Sequence, residues 1–259
     1  MTPEPGQRRV ALISGSAARI GAGIARHLHG KGFNIVVHYQ QSRSKAESLT
    51  AELNQLVPDS CICLQADLLK DSEINNLATK AAAQWSRIDV LINNASSFYP
   101  TPLADFSAAD WIDLTGTNAR APAFLSQALL DELKKTQGTI INITDIVAES
   151  GREQYAIYAM AKAALRNLTL SLARELAPTI RVNAIAPGFI LPPNFSASDQ
   201  SSQTELPDPL SFSCLNYHAS VEDIAHAVYF LIDEATYITG QSINIDGGRK
   251  LKFQFFSPS

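Results

Sequence analysis

Runs of basic residues are absent from this 259-residue chain, whose formal net charge is −4. Nucleic-acid binding needs a concentrated Lys/Arg patch, so no such partner is expected. Cysteine is scarce, with only Cys61, Cys63 and Cys214. Cys61 and Cys63 stand too close to bridge comfortably, and an odd count fits a reducing compartment. The pair lacks a second pair of ligands, so no metal site is expected. The histidines add none: His27 and His29 fall on an early helical pattern, His226 on a late one, and none is near an acidic cluster. The start, Met1 to Arg9, is polar and has no apolar signal core. The first apolar run is too short to cross a bilayer, which makes a membrane unexpected and the cytoplasm the expected location. Apolar residues themselves are not lacking. At 46% of the chain they are enough for a sizeable core.

Short continuous apolar runs occur at residues 9–13, 33–37, 61–64, 90–92, 139–143, 182–185 and 242–245. Helical patterns lie between almost all of them, such as 44–56 with Ala46, Leu49, Leu53 and Leu56 on one face. Strands alternating with helices imply parallel pairing, because each crossover needs a dozen or more residues. Continuous rather than alternating apolar strands imply that both sheet faces are covered. The expected α/β fold is a Rossmann-like doubly wound sheet of about seven parallel strands, with helices on both faces. No repeat or linker divides it, so residues 1–259 form one domain. The compositional break is 192–216, rich in Pro, Ser, Asn and Gln, which reads as a substrate lid.

The first run ends in Gly15-Ser16-Ala17-Ala18-Arg19-Ile20-Gly21 and passes into a helical pattern. Glycine lets the backbone turn tightly against a pyrophosphate, and a helix N-terminus supplies amides and a positive dipole. Gly15, Arg19, Ile20 and Gly21 are therefore expected to bind a dinucleotide. NAD enzymes place an acid at the end of the second strand to hold a ribose 2′-hydroxyl. Here the segment is His38-Tyr39-Gln40-Gln41-Ser42-Arg43, with no acid. His38, Tyr39, Ser42, Arg43 and the nearby Arg19 suit a 2′-phosphate, so NADPH is the expected cofactor.

Tyr158 and Lys162 are four apart at the start of a helical pattern whose apolar stripe is Ile157, Ala161, Leu165, Leu168 and Leu172. Residues at i and i+4 share a face, and a nearby ammonium lowers a phenol's pKa, which suits proton transfer. With the glycine turn come Ala66-Asp67-Leu68, Asn93-Asn94-Ala95, Asn118, Arg181-Val182-Asn183, Pro187-Gly188, Ile238-Thr239-Gly240 and Asp246-Gly247-Gly248. In this order and spacing, from Val10 to Gly248, the chain resembles the short-chain dehydrogenase/reductase family. The resemblance implies that Asp67 holds the adenine, Asn94 lines the cofactor cleft and Asn118 orders a proton-relay water. It also implies that Tyr158 transfers a proton and Lys162 binds the nicotinamide ribose. Leu68, Ala95, Ser96, Pro187 and Gly188 join the implied cofactor-binding set, and a homotetramer is the implied assembly.

Three positions depart from the common pattern of that family. Arg19 stands where a glycine is usual, Ser96 follows Asn93-Asn94-Ala95 in place of glycine, and Asp145 replaces the serine thirteen residues before the tyrosine. With Asn93 to Pro100, Thr101-Pro102-Leu103 and His38-Tyr39-x-x-Ser42, these features resemble the pteridine reductase branch. Thr144-Asp145 and the ending Asp246-Gly247-Gly248-Arg249 also resemble dihydromonapterin reductases. Gln41 departs from the branch, which typically carries Arg before Ser42. The resemblance makes Phe98 the face on which a pterin lies. Arg19, Ser96, Asp145 and Tyr158 complete the expected substrate contacts, with Tyr155 as a second wall. Two other readings stand beside this one: a carbonyl reductase acting on 3-oxoacyl thioesters, and a non-catalytic dinucleotide-binding protein.

Overall fold

The computed structural model describes residues 7–190 and 213–252. Most of the expected lid, and the apolar tail Phe253–Phe256, lie outside the described residues. Seven strands form one sheet: β1 Val10–Ile13, β2 Asn34–Tyr39, β3 Cys61–Gln65, β4 Val90–Asn93, β5 Thr139–Ile143, β6 Arg181–Pro187 and β7 Ser242–Ile245. Their order is β3-β2-β1-β4-β5-β6-β7, and every pair is parallel. Strand order reverses between β1 and β4, whose ends form the crevice where ligands of such sheets bind.

The helices are α1 Arg19–Gly30, α2 Arg43–Leu56, α3 Asp71–Trp85, α4 Ala108–Thr115, α5 Ala121–Ala128, α6 Leu130–Thr136, α7 Val147–Ser150, α8 Ala156–Leu176, α9 Val221–Tyr229 and α10 Arg249–Lys252. A π-helical turn, Gly116–Arg120, joins α4 to α5. Alternate residues of each central strand serve opposite layers. Ala11, Ile13, Ile35, Val37 and Ile92 pack with α1, α2 and α9 through Ile24, Leu28, Leu49, Ile224 and Val228. Val10, Leu12, Val36, Leu91 and Ile140 pack with α3, α5, α6 and α8 through Leu77, Leu125, Leu133 and Leu176. That two-sided burial is why the strands read as continuous apolar runs.

Two details correct the expectation. β2 runs on to Tyr39, so the Tyr39 side chain joins the buried core in place of reaching a cofactor. On α8 the buried line continues through Leu165, Thr169, Ala173 and Leu176, and Leu168 and Leu172 are half-buried. Thr169 is drawn inward because its Oγ1 accepts from Asn142 Nδ2 at 2.9 Å and donates to the Leu165 carbonyl. No helix among the described residues is long and apolar enough to cross a membrane.

Candidate active site

A cavity of about 1440 Å³ opens along the carboxyl ends of the strands. This exceeds the roughly 300–1,000 Å³ of a pocket for one small ligand. After β1, Gly15 turns with φ +62°, a conformation that favours glycine, and an added Cβ would sit 2.8 Å from the Ala95 Cα. The loop after β4 is sewn to this turn. Ser14 Oγ accepts from the Asn94 and Ala95 amides, and Asn94 Nδ2 donates to the Ser14 and Gly15 carbonyls at 2.9 and 3.0 Å. Helix α1 opens without a capping side chain and without an acid in its first turn. Ala18, Arg19, Ile20 and Gly21 line the cavity there. Unused amides, the helix dipole and the exposed Arg19 make a seat for a phosphate-bearing group.

His38 does not belong to that seat in the way expected. Its Nδ1 accepts from the Gly15 amide at 2.9 Å, so Nε2 carries the proton toward the Ala66 carbonyl at 3.1 Å. Burial pushes its pKa down to about 4. The imidazole is a neutral brace between β1, β2 and β3, with no free donor for a phosphate. Tyr39, Ser42 and Arg43 do not line the cavity; Arg43 is engaged with Gln65 and Glu47. Gln40, which sequence reasoning passed over, does line it and donates to Asp67 at 3.2 Å. Asp67 and Leu68 after β3, Asn94 to Ser96 after β4, and Pro187 and Gly188 at the end of β6 all line the cavity.

The reactive end is built by β5 and the start of α8. Tyr158 is almost fully buried, packed with Leu114, Val147 and Ile157. Its hydroxyl donates to Asp145 Oδ2 at 2.8 Å, and Asp145 Oδ1 accepts from the Val147 amide at 3.0 Å. Lys162 is also buried, with Nζ donating to the Ile143 carbonyl at 2.9 Å and lying 5.7 Å from the Tyr158 ring centroid. Burial brings the Lys162 pKa down to about 8, opposed by Asp145. The expected acidified phenol is not found. Burial, and then the Asp145 charge, raise the Tyr158 pKa well above its ordinary value, and these outweigh the opposing influence of Ser96 and Arg152. The Tyr158 hydroxyl therefore keeps its proton, which it donates to the Asp145 carboxylate in a hydrogen bond.

Phe98, half exposed, lies at the edge of this pair. Tyr155 stacks on it at 4.7 Å and 17°, and Tyr158 meets it edge-on at 4.8 Å. Tyr155 thus backs Phe98; it does not line the cavity as an opposing wall. Asn118, expected to order a relay water, is fully buried in the π-helical turn. Its Nδ2 donates to the Ser97 and Leu114 carbonyls and its Oδ1 accepts from Ser96 Oγ at 2.7 Å. It holds the Ser96–Ser97 segment and does not line the cavity. Arg152 and Lys250 line it without having been singled out in the sequence, because no local pattern marks them.

A family described as enoyl-(acyl carrier protein) reductase matches residues 15–250. Pteridine reductase 1 of Leishmania tarentolae is 36% identical, over 93% of this chain and 96% of its own. A 3-oxoacyl-(acyl-carrier-protein) reductase of Staphylococcus epidermidis is 34% identical over 92% and 97%, and one of Synechocystis is 34% identical over 93% and 96%. With its parallel sheet, the strand-end cavity and these full-length similarities, the chain belongs to the short-chain dehydrogenase/reductase family of oxidoreductases and resembles the pteridine reductases within it.

Proposed function

We propose that the protein reduces a dihydropterin to its tetrahydro form with NADPH. The observation that carries this reading is the Tyr158–Asp145 hydrogen bond, where a carboxylate stands in the place of the usual serine, beside the exposed face of Phe98. Bound NADPH supplies the reducing hydride. Gly15, Gly21, Arg19 and the open N-terminus of α1 would hold its phosphates, Asp67 its adenine, and Lys162 its nicotinamide ribose. One of the three Lys162 donors is used on Ile143, which leaves two for ribose hydroxyls.

The proton is the chain's own task. Both C=N and C=O reduction take up one proton with the hydride. A C=N bond is activated by protonation at nitrogen, whereas a carbonyl can be activated by hydrogen bonds to its developing oxyanion. The Tyr158–Asp145 pair presents one held proton to a ring stacked on Phe98. As it leaves, Lys162 stabilises the negative charge remaining on the pair. Ser96 is close enough to Tyr158 to oppose the rise in its pKa, and it is fixed by Asn118, so it suits the ring's polar edge.

Reduction of a 3-oxoacyl thioester is the second reading, favoured by the similar identity of the two acyl-carrier-protein reductases. Turnover of dihydrobiopterin, dihydromonapterin and a 3-oxoacyl thioester by the parent, Asp145→Ser and Tyr158→Phe separates them. Both variants are expected to lose pterin reduction by about 100-fold or more, the scale of a positioned acid/base group. A parent that reduces only the thioester overturns the pterin reading, and intact pterin turnover in Asp145→Ser overturns the role given to the Tyr158–Asp145 pair.

A further inference from the structure

Residues 94–102, after β4, form neither helix nor strand, and Phe98 projects from the middle of them. Asn94 ties the start of this segment to the turn after β1, and near its end the Thr101 amide donates to the Gln154 carbonyl at 2.6 Å. Between those ties, the residues on both sides of Phe98 turn to one carboxylate, that of Asp113 on α4. Ser97 Oγ donates to Asp113 Oδ1 at 3.1 Å, and Thr117 Oγ1 reaches the same oxygen more loosely, at 3.4 Å. On the other side of Phe98, Tyr99 packs with Leu114, the residue after Asp113. After burial, the Asp113 charge is the largest cause raising the Tyr99 pKa to about 12, so its phenol keeps a proton facing that carboxylate. Helix α4 makes a firm base for these contacts. A reciprocal cap between Ser107 and Asp110 fixes its start, and Leu114 near its end is fully buried in the cluster that contains Ile157 and Tyr158 of α8.

Phe98 needs such an anchor. Its own contacts with Tyr155 and Tyr158 are between rings, which are individually weak, and half of its surface is exposed. The direction of its face is therefore set by the backbone it leaves, and hydrogen bonds at the neighbouring residues hold a backbone more directionally than ring contacts do. Asn118 fixes the Ser97 carbonyl, and Asp113 fixes the side chain of Ser97 and faces that of Tyr99. Resting on the reading that Phe98 carries the substrate's ring, we propose that Asp113 is a positioning residue: from α4 it holds Ser97 and Tyr99 and so sets the angle of the Phe98 face on which that ring lies. Asp113 acts on how well the ring is bound, in the ground state and the transition state alike, and leaves the proton and the cofactor to other groups. Its removal therefore weakens KM for the substrate and spares kcat and the affinity for NADPH.

The experiment compares Asp113→Leu, which removes the acceptor at similar size, with Asp113→Asn, which keeps an acceptor oxygen for Ser97. With dihydrobiopterin, Asp113→Leu should raise KM about tenfold, the scale of one charge-assisted hydrogen bond, with kcat changed less than about twofold. The NADPH dissociation constant, read by cofactor fluorescence, should stay at the parent's value. Asp113→Asn should recover most of the parent's KM. The position of the ring is read directly by fluorine NMR of para-fluorophenylalanine placed at Phe98. The parent should give one sharp resonance, Asp113→Leu a shifted or broadened one, and Asp113→Asn a resonance close to the parent's. A parent-like resonance in Asp113→Leu overturns the proposal whatever the kinetics. So does a changed resonance with an unaltered KM. A loss of NADPH affinity that matches the rise in KM, without recovery in Asp113→Asn, assigns Asp113 a merely structural role and also overturns it. A parent that reduces no pterin defeats the proposed reaction instead, and the fluorine resonances alone then decide whether Asp113 sets the angle of Phe98.

Discussion

Arg19 occupies a left-handed position, φ +52°, that the family usually gives to glycine. An L-residue there costs about 1–2 kcal/mol, of which a glycine gives back about 0.5–1 in lost chain freedom. The side chain therefore has work to do, and the exposed guanidinium in the phosphate seat identifies it. Arg19→Gly should raise the stability of the free protein by about 0.5–1 kcal/mol in thermal or urea unfolding. It should lower the preference for NADPH over NADH by about tenfold or more, as expected for one charge-assisted phosphate contact. A preference that survives the substitution assigns 2′-phosphate recognition elsewhere. His38 makes a different demand. Its Nδ1 must stay unprotonated to accept from Gly15. Because the native pKa lies near 4 and the ordinary value is 6.5, the unfolded chain binds more protons between those limits. Stability is thus complete above about pH 6.5 and is lost as pH falls toward 4, by about 3 kcal/mol from this group. His27 and His29, also lowered by burial, act in the same direction. Urea unfolding of cofactor-free protein from pH 8 to pH 4 should show a shallower loss in His38→Asn than in the parent. Equal slopes would contradict the neutral brace.

At the scale of elements, Gly23 shows why the turn after β1 is followed by a third glycine. It lies within α1, where glycine is a poor helix former, yet an added Cβ would fall 2.0 Å from Val221 Cγ1 on α9. Valine is stiff at χ1 and cannot swing clear, so the helices themselves would have to part. Gly23→Ala should therefore destabilise by about 1–3 kcal/mol despite the gain in helix propensity, as measured by thermal unfolding. An unchanged or raised melting temperature would mean that α9 yields easily. The same element level explains what could be read in the sequence. Strands buried on both faces announce themselves as apolar runs, and the glycine turn and the Tyr158/Lys162 spacing are local patterns that survive in one dimension. The role of Asn118 is not local. It depends on a π-helical turn that points the side chain at Ser96 and Ser97, twenty-odd residues away, and hydrophobic periodicity cannot separate a π turn from the α-helix around it. His38 misled for a related reason: a titratable residue at a strand end suits a phosphate in sequence, but the strand's two extra residues and the Gly15 amide turned it inward.

For the molecule as a whole, the apolar side chains left at the surface point to association with further copies. Trp111 and Ile112 on α4, Phe124 on α5, and Met160 and Leu170 on α8 are each between 40% and 62% exposed. These elements pack around the π-helical turn, so the exposed residues belong to neighbouring surfaces rather than to scattered sites. A monomer gains nothing from so much apolar area in water, whereas covering it is worth about 25 cal/mol per Å² before the costs of association. The net charge of −4 is too small to oppose self-association strongly. A homotetramer, the assembly implied by the family resemblance, is the expected state. Light scattering at micromolar concentration should give about four times the 28.1 kDa of one chain. Ile112→Glu and Phe124→Glu, each placing a carboxylate where a neighbour would pack, should shift the protein toward smaller species. Both side chains are exposed in the single chain, so neither substitution should impair its own folding. The association argument fails if the parent scatters as a monomer, or if both charged variants retain the parent's mass.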